Sequence, residues 1–216
     1  MSKSLFIFDF DGTLADTRDL MVDIGNKYAE EVGIDPLNDE DIRIYHEEGV
    51  RSLMRKRNFS VIDLLKLLKR GGEIFAENIG DIVMIEMMNE SLEQIKKENI
   101  TMAVVTSNTE DRVKKVIKNA SSLFAGIFSE EDLFGKAAKL KRVVRTLSFE
   151  PQNVFYMGDE PRDIIAAKKA GIHPIGVAWG FGSEQSLVAA GAERVLRTPE
   201  ELVSFSKSVS SSQTES

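Results

Sequence analysis

The chain is 216 residues long, enough for a sizeable core in one domain or in a domain that carries an insertion. Its 42% apolar and 29% charged residues are those of a soluble globular protein, and the absence of cysteine excludes a disulfide framework and thiolate chemistry. A net charge of -7 argues against general nucleic-acid binding, and the two histidines, His46 and His173, lie too far apart in sequence to suggest a histidine-based zinc site. Any metal here is expected to be a hard cation on oxygen ligands. Neither a basic-flanked apolar leader nor an apolar run of membrane-spanning length is visible, so the expected location is the cytoplasm, without a membrane partner.

The first element, residues 5–8, reads as a strand buried on both faces, because the run LFIF is short, branched and aromatic and stops at an acidic turn. It leads into Asp9-Phe10-Asp11-Gly12-Thr13. Two carboxylates at i and i+2 beyond a buried strand repel each other and lose hydration unless a cation or a reaction uses them. A capping role would account for either one alone, so the later residues decide. Residues 19–32, 49–57, 61–68 and 74–97 carry helical spacing with no convincing strand among them. Met84, Met87, Met88 and Leu92 read as packing residues. So much helix exceeds an ordinary crossover and predicts an all-helical cap at 16–85, with an α/β core formed by 1–15 and 86–205. From residue 101 onward, strands (101–106, 127–129, 154–157, 173–177, 194–196) alternate with helices (110–119, 137–147, 161–170, 200–205), the pattern of a parallel sheet covered on both faces. The Ser-rich stretch 206–216 is expected to be disordered.

Polar clusters recur where strands end. Thr106-Ser107-Asn108 closes the 101–106 strand and opens a helix, whose free N–H groups favour an anion. Lys136 stands near another helix start, where its charge is unfavourable unless it reaches an anion. Asp159 follows the 154–157 strand, and Asp163 lies one turn on if Pro161 occupies the first helical turn. Ligands of open parallel sheets bind beyond the carboxyl ends of the strands, where these residues gather. Mg²⁺ fits such a set, relieving repulsion among the carboxylates, with Thr106 and Lys136 holding phosphoryl oxygens from another side. One carboxylate could then attack phosphorus while its neighbour handles protons.

In their order and spacing these motifs resemble the haloacid dehalogenase-like hydrolases, in particular phosphoglycolate-phosphatase-like and β-phosphoglucomutase-like members, over residues 4 to about 203. The resemblance implies a Rossmann-like α/β fold with strand order 5-4-1-2-3 and an inserted helical cap. It makes Asp9 the nucleophile and Asp11 the general acid/base. It assigns Mg²⁺ to Asp9, Asp11 (through its main-chain carbonyl), Asp159 and Asp163, the last through water or by orienting the ligands. Phosphate falls to Thr106, Ser107, Asn108 and Lys136, with the backbone of Phe10 and Gly12. The implied activity is a Mg²⁺-dependent phosphatase for a small phosphorylated metabolite. A phosphosugar mutase and a catalytically idle phosphate-binding protein are the alternatives. An acid at Asp11 argues against dehalogenation.

Three departures from the family pattern stand out. Ala137-Ala138-Lys139 follow Lys136, which makes Lys139 a second candidate for its role; no Pro-Gly marks the return from the cap; and Glu160, expected to face solvent, adds charge beside Asp159. In the cap, the segment 46–52 resembles a specificity segment, and Arg51 is its candidate for pairing with a substrate carboxylate. Trp179 and Phe181 either pack a loop near the pocket or belong to the core edge. The chain is expected to be a monomer or weak homodimer.

Overall fold

The structure, a computed structural model, describes residues 3–48, 50–129 and 135–214. Strand β1 (Leu5–Phe8) is wholly buried, and its alternation divides the molecule. Phe6 and Phe8 enter one apolar cluster while Leu5 and Ile7 enter another, as side chains on a pleated strand must. After β2 (Ala15–Asp16), the chain runs through α1 (Arg18–Val32), α2 (Asp39–Glu48), α3 (Val50–Lys56) and α4 (Val61–Glu77) to β3 (Val83–Met84). Helix α5 (Met88–Lys97) returns it to β4 (Thr101–Thr106), α6 (Glu110–Ile117), β5 (Phe124–Ser129), α7 (Lys136–Thr146) and β6 (Val154–Gly158). The last elements are α8 (Pro161–Ala170), β7 (His173–Val177), α9 (Glu184–Ala190), β8 (Arg194–Leu196) and α10 (Pro199–Thr214).

Six strands form one sheet in the order β5-β4-β1-β6-β7-β8, and every pairing is parallel. This is the expected 5-4-1-2-3 arrangement with β8 added beyond β7 at one edge. Leu140, Val143 and Val144 of α7, with Ala166, Ala167 and Ala170 of α8, cover the Leu5/Ile7 face. Met88, Leu92 and Ile95 of α5, Val113, Val116 and Ile117 of α6, and Leu202 and Phe205 of α10 cover the other. Burial on both faces is why the strands read as continuous apolar runs. Among the described residues no helix is long and apolar enough to cross a membrane.

The helical insert joins the core through a two-stranded antiparallel ribbon, β2 with β3, in which Asp16 pairs with Val83 and Ala15 with Met84. No strand was expected there; two residues per strand leave no periodicity to read. The expected helix over 74–97 is broken at this ribbon into α4 and α5, and Met87, in a left-handed conformation at φ 62° before α5, is 45% exposed and is not a packing residue. The insert also holds α2, and the core α9, neither of which the pattern predicts.

The expectation of a disordered 206–216 tail is also corrected over 206–214, while 215 and 216 lie outside the described residues. Helix α10 continues to Thr214, Ser206 is fully buried, and Ser210 Oγ donates to the Glu98 carbonyl at 3.1 Å. Val209 packs on the core one turn beyond Phe205, so a sparse apolar stripe anchors a polar helix.

Candidate active site

Register places the acidic ends of β1 and β6 side by side. Phe8 pairs with Met157, and the Asp9 N–H donates to the Met157 carbonyl at 2.9 Å, so both chains enter their acidic turns at one level. Asp9, Asp159 and Asp163, all buried, each offer an oxygen within 4.8 Å of the others. Asp163 is the third residue of α8. Its Oδ2 accepts the Glu160 N–H at 3.0 Å, which leaves Oδ1 for the site. Asp159 is gripped on both oxygens: Oδ1 accepts the Thr13 hydroxyl at 3.0 Å and Oδ2 the Phe181 N–H at 2.8 Å.

Glycines permit this crowding. A Cβ on Gly12, which has φ +70°, would lie 2.2 Å from Asp159 Oδ2, and one on Gly158 would lie 2.4 Å from Asp163 Cβ.

Lys136, the first residue of α7, reaches Asp9 Oδ2 at 2.7 Å and Asp163 Oδ1 at 2.5 Å. Burial disfavours its charge, but Asp163 and Asp9 outweigh burial and hold the ammonium firmly protonated. One lysine does not balance three acids. Burial, opposed by Lys136 and aided by Asp163, raises the Asp9 carboxyl; burial, Asp163, Glu160 and Asp9 together push that of Asp159 well above the ordinary range. A divalent cation on oxygen ligands would remove that conflict, so this donor set fits a hard metal ion. Lys139, the alternative lysine, is buried and donates to the Thr106 carbonyl at 2.8 Å, where it supports the end of β4.

The Asp11 carboxylate is not in the acidic cluster. Its Oδ2 accepts from Asn108 Nδ2 at 2.7 Å, across the mouth from the end of β4. Burial, reinforced by the charge of Asp9, pushes its pKa up to about 7. Thr106 is buried, with its hydroxyl accepting the Asn108 N–H at 2.9 Å, while Ser107 is exposed at the tip. The Phe10 ring belongs to the core, and the Gly12 N–H is satisfied by the Ala15 carbonyl at 2.9 Å within the turn. Of the resemblance-derived set, Asp9, Asp159, Asp163 and Lys136 are thus in direct contact or mutual reach, with Asn108 bonded to both Asp11 and Thr106 beside them. The Arg51 side chain lies outside the described residues.

The expectation that Glu160 faces solvent is overturned. It is 5% exposed, caps α8 reciprocally with Asp163, and pairs with Arg162. Phe181 and Trp179 pack with the core and also adjoin the acidic cluster: Phe181 supplies the amide on Asp159, and Trp179 Nε1 donates to the Thr13 carbonyl at 3.0 Å. The glycines around them in the sequence were the readable sign of a close approach.

Comparison with known proteins agrees with this geometry. The chain is 29% identical over 199 residues to a phosphoglycolate phosphatase of Synechococcus elongatus, covering 91% of this chain and 94% of that one. It is 27% identical over 224 residues to a phosphorylated carbohydrates phosphatase of Thermotoga maritima, covering 94% and 98%. A solved haloacid dehalogenase-like family hydrolase from Streptococcus pneumoniae shares the fold with a TM-score of 0.78 at 20% identity, over 94% of this chain and 98% of that one. The sequence profile of the haloacid dehalogenase-like hydrolases spans residues 6–177, from the strand that carries Asp9 to the last one before the Trp179 loop. With a buried cluster of three aspartates at the strand ends of its parallel sheet, the chain belongs to the haloacid dehalogenase-like hydrolase family.

Proposed function

We propose that the protein is a Mg²⁺-dependent phosphatase that hydrolyses a small organic phosphate monoester, phosphoglycolate-like or a sugar phosphate, through an aspartyl-phosphate on Asp9. The observation that carries this reading is the contact of Lys136 with both Asp9 and Asp163 inside the three-carboxylate cluster, next to a second, separately held acid at Asp11. Asp9, Asp159 and Asp163 would hold the ion, joined by the Asp11 main-chain carbonyl that the family resemblance assigns. Bound there, Mg²⁺ supplies positive charge for the phosphoryl oxygens and lets several carboxylates stay ionised together.

The chain's own groups divide the rest of the chemistry. Asp9 attacks phosphorus, with Lys136 fixing its Oδ2 and balancing charge. Asp11, held by Asn108 and with its pKa raised by burial, donates a proton to the leaving oxygen. The same carboxylate then takes a proton from the water that cleaves the aspartyl-phosphate. The Thr106 hydroxyl and the Ser107 and Asn108 amides serve the phosphoryl oxygens. Residues 16–85 act as a cap over the site and select the ester, with Arg51 as the candidate for a substrate carboxylate. The names of the relatives from Synechococcus elongatus and Thermotoga maritima support this substrate class.

The test is phosphate release from a panel of phosphorylated metabolites, with and without Mg²⁺, against Asp9→Asn. Mg²⁺-dependent release that vanishes in the variant is the expected result. Full activity in Asp9→Asn would show that the nucleophile is elsewhere.

A further inference from the structure

We infer that His46, on the helical insert, sets how firmly the core holds its metal, because it clamps the loop that positions Asp159. The inference rests on the reading of Asp159 as a metal ligand. His46 lies in the last turn of α2, and its Nδ1 meets the main-chain carbonyl of Phe181, while its own carbonyl accepts the Ser183 N–H at 3.1 Å. To donate to that carbonyl, Nδ1 must carry the hydrogen. The neighbouring Tyr45 sets its ring edge-on to the Phe181 ring, with centroids 5.7 Å apart.

The peptide joining Phe181 to Gly182 is thereby held at both ends. Its carbonyl accepts from His46, and its N–H donates to the Asp159 carbonyl at 2.9 Å. The preceding N–H, that of Phe181, donates to Asp159 Oδ2 at 2.8 Å. The other carboxylate oxygen is reached from the same loop, since Trp179 holds the Thr13 carbonyl and Thr13 donates to Asp159 Oδ1 at 3.0 Å. Both oxygens of Asp159 thus owe their orientation to residues 179–182, and among the described residues the insert meets the segment 181–183 through a side-chain hydrogen bond, a main-chain bond and a ring contact. A group that docks the insert therefore also fixes a carboxylate in the core. By reciprocity, metal binding must tighten the docking by the same factor that docking tightens metal binding.

The experiment is calorimetric titration of Mg²⁺, without substrate, into metal-free wild type, His46→Ala, His46→Phe and His46→Gln. Emission from Trp179, the chain's one tryptophan, is followed in parallel as a report on the loop. His46→Ala is expected to bind Mg²⁺ about fivefold more weakly, the factor that one net hydrogen bond supplies. His46→Phe keeps a ring without the donor and is expected to match it, which decides the question should the alanine variant not fold. His46→Gln restores an N–H donor and is expected to recover most of the affinity. Mg²⁺ should also slow proteolysis within the insert, and by less in His46→Ala than in the wild type. Wild-type affinity in folded His46→Ala or His46→Phe overturns the inference alone. A wild type that binds no Mg²⁺ overturns the metal-site reading and the inference together.

Discussion

Adding one methyl group at Gly180 tests whether close backbone approach positions Asp159. A Cβ there would stand 2.4 Å from both Cβ and Oδ2 of Asp159 and 2.5 Å from the Gly12 carbonyl oxygen. Ordinary contact begins at 3.4 Å, so the loop and the β6 turn must separate by about 1 Å. Neither neighbour yields cheaply, because one is backbone and the other a carboxylate held by Thr13 and Phe181. Overpacking of this kind costs about 1–3 kcal/mol. Losing the Phe181 bond to a charged acceptor adds about 1.5–3 kcal/mol. For a chain of this size each kcal/mol moves the melting point by about 2–4 °C, so Gly180→Ala should melt roughly 10 °C lower. A displacement of about 1 Å at Asp159, a ligand in the proposed mechanism, is also expected to cost about a hundredfold in turnover.

The matched control is Gly72→Ala, inside α4, where a Cβ meets nothing within 4 Å. There the methyl group relieves helix entropy and should stabilise by about 1 kcal/mol. Melting followed by circular dichroism, with Mg²⁺-dependent phosphate release, reads both variants. A Gly180→Ala protein as stable and as active as the wild type refutes the argument.

Three further expectations concern charge. Asp11→Asn should lower turnover by about 10²–10⁴-fold but leave calorimetric Mg²⁺ affinity within a few-fold, because its carboxylate rests on Asn108 outside the acidic cluster; a lost metal site would contradict this. Lys136→Met should abolish turnover, whereas Lys139→Met, which removes a bond to the Thr106 carbonyl, should chiefly lower stability, by about 1–3 kcal/mol in urea unfolding. The reverse ranking of activities would exchange their assigned roles. Asp41 is fully buried in the insert, and the hydrogen bond from Arg57, outweighing burial and aided by the Asn38 amide and Lys56, holds its carboxyl well below its ordinary 3.8. Its contribution is complete above about pH 4, the unfolded value, and is lost as pH falls from there toward the folded one. Asp41→Asn should therefore cost about 3 kcal/mol in urea unfolding at pH 7 and less at pH 3, and an equal cost at both would rule this out.

The core was legible because its strands are buried on both faces and end in groups that a core does not tolerate without a purpose. LFIF before Asp9 and VFYM before Gly158-Asp159 announce both strand and site in one segment. What escaped reading depended on contacts distant in sequence. Glu160 looks like a surface acid until α8 makes it a buried cap for Asp163 and a partner for Arg162. Phe181 carries its function in its main chain, which no side-chain pattern reveals. In α10 the serines hide a stripe of Leu202, Phe205 and Val209, with Ser206 buried beside it because its hydroxyl bonds back to the Val203 carbonyl at 2.7 Å. Helix α2 is mostly polar and depends on Asn38 and Asp41 bonding each other's main chain at 3.0 Å, a capping signal with little apolar periodicity behind it.

The short ribbon of β2 and β3 has an architectural consequence. Because Asp16 and Val83 pair directly, everything between them leaves and re-enters the sheet at one port, and the strand register does not depend on the length of chain attached there. Closing a longer loop at a fixed pair of ends costs only about 0.6 kcal/mol for each doubling of its length. The port is therefore modular within limits: helices could be lengthened or exchanged without altering the register that brings Asp9 beside Asp159, provided that the packing of Ile24, Ile74 and Phe75 and the His46 contact are kept. The length of the insert and the register of the sheet can thus change on separate schedules, by evolution or by engineering, as long as the His46 clamp on the Phe181 loop is kept.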